Sequence, residues 1–301
     1  MGLDDGIPWV GGYGNREPQF LRACELVIGR QPIEGNFVQT VPDAVRVNGL
    51  RVVFHIELTE KKEPNSAKID VYNLSDASRQ SLQNKGVRVV LQAGYVGSLA
   101  QIFSGDARTC GTQHLGPDFI TTAQCGDGER AFKYADVAQS FKPGTPVKDV
   151  IGKVVKALQV DPGNALQQAN KIVGQYSSSF AVSGRASDVL ADILEPHGYS
   201  YSIQGGRIEI LKIDETLKTE GPLLDKDSGL VGSPEWGTPD AKGKPSVLKV
   251  RSLLQSRFRP GIRFELRSLD VNGFFRCKKV THDGDTDGPN WWSDLECTAA
   301  P

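Results

Sequence analysis

Asp283-Gly-Asp285-Thr-Asp287-Gly288, with Asp294 beyond it, comes closest in this sequence to a chemical constellation. Oxygen ligands fall at positions 1, 3 and 5 of a calcium loop, with glycine at 6 and a carboxylate at 12. Calcium needs that last group as a bidentate carboxylate, and Asp294 reaches less far than the usual Glu. Pro289 and Asn290 stand where an apolar residue docks. The flanks, Phe274–His282 and Trp291–Thr298, alternate like strands rather than helices. The expectation is an acidic surface hairpin with no bound metal.

Other chemistry is thinner still. His55, His114, His197 and His282 show no His-x-x-x-His spacing. His55 lies in an alternating strand and His197 at a helix end, both structural places. There is no Gly-x-Ser-x-Gly elbow and no Walker loop. Gly94-Tyr-Val-Gly97 and Gly11-Gly-Tyr-Gly14 lack the strand-to-helix setting that a phosphate loop needs. The cysteines Cys24, Cys110, Cys125, Cys277 and Cys297 are odd in number and form no Cys-x-x-Cys, so they read as small buried thiols in a reducing cytoplasm. Trp291 and Trp292, adjacent in a strand, point to opposite faces. Arg251, Arg257, Arg259, Arg263, Lys278 and Lys279 read as a solvated face first, an interface with an acidic partner second and a nucleic-acid contact third.

The elements that would position these residues are mostly strands. Length 301, 39% hydrophobic and 24% charged residues, 33 Gly and 17 Pro describe a turn-rich chain of two or three domains. Net charge -1 supplies no field that would draw nucleic acid or anionic lipid. No apolar run is long enough to cross a bilayer, and the N-terminus lacks the regions of a secretory signal.

Residues 1 to 18 read as an extended arm and Phe20 to Arg30 as the first strand. Val45–Val47 and Leu50–Leu58 follow, joined by a tight turn at Asn48-Gly49, and then a strand over Ala67–Tyr72. Asp76 to Asn84 reads as a short helix capped by Ser75 and closed by Lys85-Gly86. Val87, Val89 and Leu91 alternate with Arg88, Val90 and Gln92, and Gly94 and Gly97 lead into a return strand at Ile102-Phe103. Asp118–Cys125 and Arg130–Phe141 read as two strands that belong either to this first unit or to the next.

Thr145 to Gln159 is a helix in which Thr145 caps, Pro146 opens, and Val147, Val150, Ile151, Val154, Val155 and Leu158 form one stripe. A second helix spans Ala186–His197, with Val189, Leu190, Ile193 and Leu194 on one face, and a hairpin turns at Gln204-Gly205-Gly206. Asp214–Pro222 reads as a linker, with turns at Pro239-Asp240 and Gly243-Lys244-Pro245 and strands from Val247 onward. Gly261-Ile-Arg-Phe-Glu-Leu266 echoes Gly86-Val-Arg-Val-Val-Leu91, with a hairpin turn expected at Asn272-Gly273.

Pro64-Asn65-Ser-Ala-Lys-Ile-Asp-Val-Tyr72-Asn73-Leu74-Ser75, Val89-Val90-Leu91-Gln-Ala93-Gly94-Tyr95 and Ile102-Phe103-Ser-Gly105-Asp106 resemble the first barrel of baseplate hub proteins of contractile-tailed bacteriophages, relatives of type VI secretion hub-spike proteins. Gly229-Leu-Val-Gly-Ser-Pro-Glu-Trp236, Ser252-Leu-Leu254, Arg259-Pro260-Gly261 and His282-Asp-Gly284-Asp285 resemble their later part.

The resemblance implies a mainly β fold with an α+β part: a first β-barrel over 19-115, a middle α+β domain over 116-215 and a second β-barrel of similar topology over 216-301. It implies a homotrimer in the virion tail baseplate, assembled in the host cytoplasm. Its partners would be tail tube or tube-initiator proteins, a central spike protein and other baseplate proteins, with no membrane segment and no sequence-specific nucleic acid. It carries over no catalytic residue, no cofactor and no metal. With the chain ending at Pro301, no fused lysozyme or spike module is expected. A tail-tip cell-wall hydrolase is the alternative, and would need a positioned carboxylate pair or a metal-bound water.

Two similar domains per chain would let a trimer present six similar units. Val87, Val89 and Leu91 would then match Ile262, Phe264 and Leu266. The first barrel of one chain would meet the second barrel of the next in a closed head-to-tail ring.

Overall fold

The structure, a computed structural model, describes residues 21–30, 44–83, 86–213, 215–237 and 247–300. The expected arm at 1–18, Lys85, and the turns at Pro239-Asp240 and Gly243–Pro245 lie outside them.

The first set of strands is β1 (Arg22–Arg30), in which Leu26, Val27 and Ile28 are buried in a row, then β2 (Val45–Val47), β3 (Val52–Thr59) and β4 (Asn65–Tyr72). In β3 and β4 every second residue is buried, as a half-covered sheet requires. Gly49 adopts φ 70° after Asn48, but the strands it joins do not pair: β2 lies against β1, whereas β3 pairs with β4. The expected hairpin is therefore a crossing from β2, at the edge of a sheet, to β3 in its interior. Helix α1 (Asp76–Gln83) starts at Ser75, whose Oγ accepts the Ser78 N–H. β5 (Val87–Tyr95), β6 (Ala100–Leu115) and β7 (Asp118–Asp127) complete the set.

The chain then leaves the sheet. Arg130–Phe141, expected as a strand, is split. Gly128 turns the chain at φ 74° into α2 (Glu129–Tyr134), which Lys133 and Glu129 brace as an i,i+4 pair, and β8 (Asp136–Phe141) follows. Five ordinary helix formers in a row outweigh the local alternation. In α3 (Val147–Ala157) the whole predicted stripe from Val147 to Val155 is buried, as is Leu158 beyond it. Its start differs by one residue. Pro146 takes the capping position at ψ 143°, and the Thr145 hydroxyl donates to the Lys142 carbonyl instead.

After α4 (Ala165–Ala169), β9 (Phe180–Arg185) pairs with β8. α5 (Ala186–Leu194) ends in a 3-10 turn, and the β10 (Tyr199–Gln204)–β11 (Arg207–Lys212) hairpin turns at Gly205-Gly206. These elements share a core of their own around Val150, Ile151, Val154, Leu190 and Ile203.

β12 (Glu220–Leu224) occupies part of the expected linker, and β13 (Leu230–Trp236), β14 (Leu248–Leu253), β15 (Arg263–Arg267), β16 (Asn272–Asp285) and β17 (Trp291–Ala299) follow. The Asn272-Gly273 turn is also corrected. Both residues lie in β16 opposite Arg267 and Leu266, and the reversal is made by Ser268–Val271, closed by the Ser268 N–H on the Val271 carbonyl.

All the strands except β8–β11 form one thirteen-stranded sheet along the path β13-β14-β17-β16-β3-β4-β7-β6-β5-β1-β2, with β15 on β16 and β12 on β15. The described ladders do not close either half into a barrel, so the two expected barrels are present as two halves of one sheet. Apart from β2, which adds to the outer side of β1 in the first half alone, their strand order is the same. The first half orders its strands β1-β5-β6-β7-β4-β3 and the second β12-β15-β16-β17-β14-β13, each rank in the chain taking the same place. One equivalent pair differs in sense, β1 being antiparallel to β5 and β12 parallel to β15.

The register repeats as well. β6 slips against β7 between Ala107 and Thr109, and β16 slips against β17 between Cys277 and Lys279. Aligning these bulges sets Cys125, partner of Ala107, against Cys297, partner of Cys277. It also aligns Gly86 (φ 76°) with Gly261 (φ 83°), each opening the equivalent strand. Val87, Val89 and Leu91 are buried, and so are Ile262, Phe264 and Leu266.

Candidate assembly interface

The acidic stretch does not converge. The Asp285 carboxylate takes the Arg51 guanidinium in two hydrogen bonds, 3.1 and 2.7 Å, which holds its pKa below the usual range. Asp283 meets His55 Nδ1 at 2.6 Å, and Asp294 takes a fork from Arg251 at 2.7 and 2.8 Å. These groups go to separate partners, and no group of three or more metal-ligating side chains gathers among the described residues.

His282 is buried, with Nδ1 2.8 Å from Ser293 Oγ, and burial pushes its pKa down to about 4. His114 stacks edge-on against Phe119, and His197 closes the 3-10 turn. Burial raises the Cys24 and Cys125 thiols to about 12, so they are poor nucleophiles. Trp291 is buried edge-on against Phe54, while Arg251 lies over the Trp292 ring on the other face, as the pleat requires.

The basic C-terminal residues mostly find acids within the chain. Lys278 meets Glu60, Lys279 meets Glu57, and Arg259 meets Glu209, while Arg263 covers the Phe274 ring. Several of these pairs bridge the seam where β16 of the second half pairs with β3 of the first, from Lys279 opposite Thr59 to Asp285 opposite Val53. Arg276, almost fully buried, places two nitrogens on Glu60 Oε1 at 3.0 and 2.6 Å at one end of that seam. Gly284 faces Phe54, whose ring fills the space a β-carbon would occupy. The seam combines a full ladder with a desolvated charge pair, and a partner removed from such a pair leaves a strongly destabilising buried charge.

A second joint fixes the middle α+β unit to the sheet. Asn65 Nδ2 donates to the Ile203 carbonyl at 2.9 Å and to Gln204 Oε1 at 3.0 Å, and its Oδ1 accepts the Thr59 N–H at 2.8 Å. Gln204 Nε2 returns a bond to the Thr59 carbonyl at 2.8 Å. Beside it, buried Asp127 accepts the N–H groups of Gly205 at 2.5 Å and Gly206 at 2.8 Å. Burial outweighs these bonds and Arg88, and raises the Asp127 pKa to about 7. Nothing local in the sequence pairs Asn65 with residues so distant in the chain. The sequence pattern begins that strand at Ala67 and so leaves Asn65 outside it, whereas the strand opens on Asn65.

These features are joints, and the paired carboxylates leave no free acid–base couple among them. Known structures share the fold. The chain is similar to the 43 kDa tail protein of prophage MuSo2 from Shewanella oneidensis, with TM-score 0.63 at 8% identity over 91% of this chain and 96% of that one. It is similar to the tail protein from Neisseria meningitidis MC58, with TM-score 0.61 at 9% identity over 92% and 96%. It is also similar to the E. coli c3393 type VI secretion component, itself described as structurally similar to bacteriophage T4 tail proteins gp27 and gp5, with TM-score 0.56 at 8% identity over 83% and 74%.

The fold is thus that of phage tail and type VI secretion proteins. A profile of the baseplate hub gp41 family matches residues 38–269, and the chain belongs to that family of structural, non-enzymatic tail proteins. No curated protein sequence matches it.

Proposed function

We propose that this chain is the central hub of a contractile tail baseplate, a homotrimer that adapts a sixfold tail tube to a threefold spike. The observation that carries this reading is the duplicated strand order with its matching bulges. Three chains of two like units present six like units to a sixfold partner, while the single middle unit of each chain keeps the threefold. The two halves act as barrel-type domains, the first covering 19–127 and the second 216–301, with the middle unit between them. The ring meets tube or tube-initiator proteins on one face and a spike on the other, with further baseplate proteins around it, in the virion tail. Five free thiols suit assembly in a reducing host cytoplasm before incorporation. Light scattering on the purified full chain tests the oligomer. Three chain masses are expected, and a stable dimer or tetramer would contradict the reading.

A further inference from the structure

Inside the chain, the second half docks on the first by one device: the far part of β16 pairs with the edge of β3 in the other half. Each half carries both parts of that device. The first half has its own long strand β6 in the place of β16, and the second half its own β13 in the place of β3.

Among the described strands both of these lack a partner on that edge. Beyond Asp106, β6 has left β5 and pairs only with β7 among the described strands, and Gly111 to Leu115 are exposed. β13 pairs only with β14 among them. The equivalent residues at the internal seam are covered. Ile56 is 0% exposed and its counterpart Trp236 51%, while Asp285 is 7% exposed and its counterpart Leu115 66%. Long edges carrying exposed apolar residues are ready templates for pairing.

We propose that β6 of one protomer pairs antiparallel with β13 of the next, repeating the β16–β3 seam between chains. This rests on the trimer reading and specifies its interface. Carrying the internal register across the two halves sets Gly111 opposite Gly237, Thr112 opposite Trp236 and Gln113 opposite Glu235. Beyond the β13 irregularity between Val231 and Glu235, Leu115 falls opposite Val231. That irregularity contains Pro234, a device that blunts an edge against unspecific pairing and leaves the flanks to a partner of matching shape. The contact is heterologous: each chain offers a β6 edge on one side and a β13 edge on the other. If the internal seam steps by a sixth of a turn, the alternating seams close after three chains.

Two double variants of the full chain test the register, Gln113→Cys with Glu235→Cys and Thr112→Cys with Trp236→Cys. Adjacent antiparallel pairs alternate between the wide and the narrow spacing, so at least one of the two pairs has disulfide geometry. Diamide oxidation is read on non-reducing gels beside each single variant and the parent, with circular dichroism confirming that the variants fold. The expected result is a covalent trimer from a double variant and none from the single variants. Trimers by light scattering with no cross-link from either pair would overturn the edge pairing and leave the hub reading standing. Monomers throughout would overturn both.

Discussion

Replacing Asn65 with Leu should loosen the middle unit from the sheet. Leu keeps the branching and heavy-atom count of Asn, is bulkier, and can neither donate nor accept, so the part-buried Thr59 N–H and the buried Ile203 carbonyl lose their partners. Gln204 keeps its bond to the Thr59 carbonyl and loses only the Asn65 amide. An unsatisfied buried group costs about 1–3 kcal/mol, so two of them put the loss at roughly 2–6 kcal/mol. Urea unfolding of parent and variant, followed by far-UV circular dichroism, measures it. Hydrogen exchange at Ile203–Gly206 should rise in the variant while the β14–β17 ladder stays protected. A loss below about 1 kcal/mol, with unchanged exchange, would show that water reaches this joint and that the bonds do not hold it.

Val154 is fully buried in the α3 stripe, so Val154→Asp should lower stability by roughly 3 kcal/mol or more, seen as a fall in Tm, and an unchanged Tm would contradict the packing described. Gly284→Val should weaken the β3–β16 seam, because a β-carbon there would lie 2.1 Å from Phe54 Cζ; a destabilisation of about 1–3 kcal/mol is expected in thermal melts. Two buried groups set opposite pH slopes. His282 titrates near 4 in the fold against 6.5 in the unfolded chain, so the fold binds fewer protons between those values and His282 removes stability as pH falls through that window. Asp127 titrates near 7 against 3.8, so the fold keeps a proton the unfolded chain has lost, and stability falls as pH rises from about 4 to 7. Asp127→Asn should therefore gain on the parent as pH rises across that window, by up to roughly 4 kcal/mol in urea titrations; a constant difference would show Asp127 ionised throughout.

Local pattern made much of the fold legible. The α3 stripe, the β10–β11 hairpin and the paired Gly86 and Gly261 segments follow from periodicity and positive φ alone. Errors came where two local signals competed or where pairing was distant. Asn272-Gly273 has turn composition, but strand pairing with Leu266 and Arg267 claims it. β12 sits in a linker-like stretch because its partner β15 is distant in sequence and parallel.

Of the interface, the sequence carried only the β5–β15 echo. The matching bulges use different residues, Arg108 in one half and Lys278 in the other, since a bulge constrains the backbone and not the side chain. The Arg276–Glu60 pair has no local signature at all: each residue looks like an ordinary surface charge until the sheet brings them together.

The central claim is a trimeric hub that shows six like units on one face. An image reconstruction of the intact particle, refined at the tail tip without imposed sixfold symmetry, tests it most directly. The account predicts three copies of this chain around the axis, with Gly86 and Gly261 alternating at sixty-degree steps between tube and spike. A single copy, a sixfold ring of chains, or a position away from the axis would contradict it.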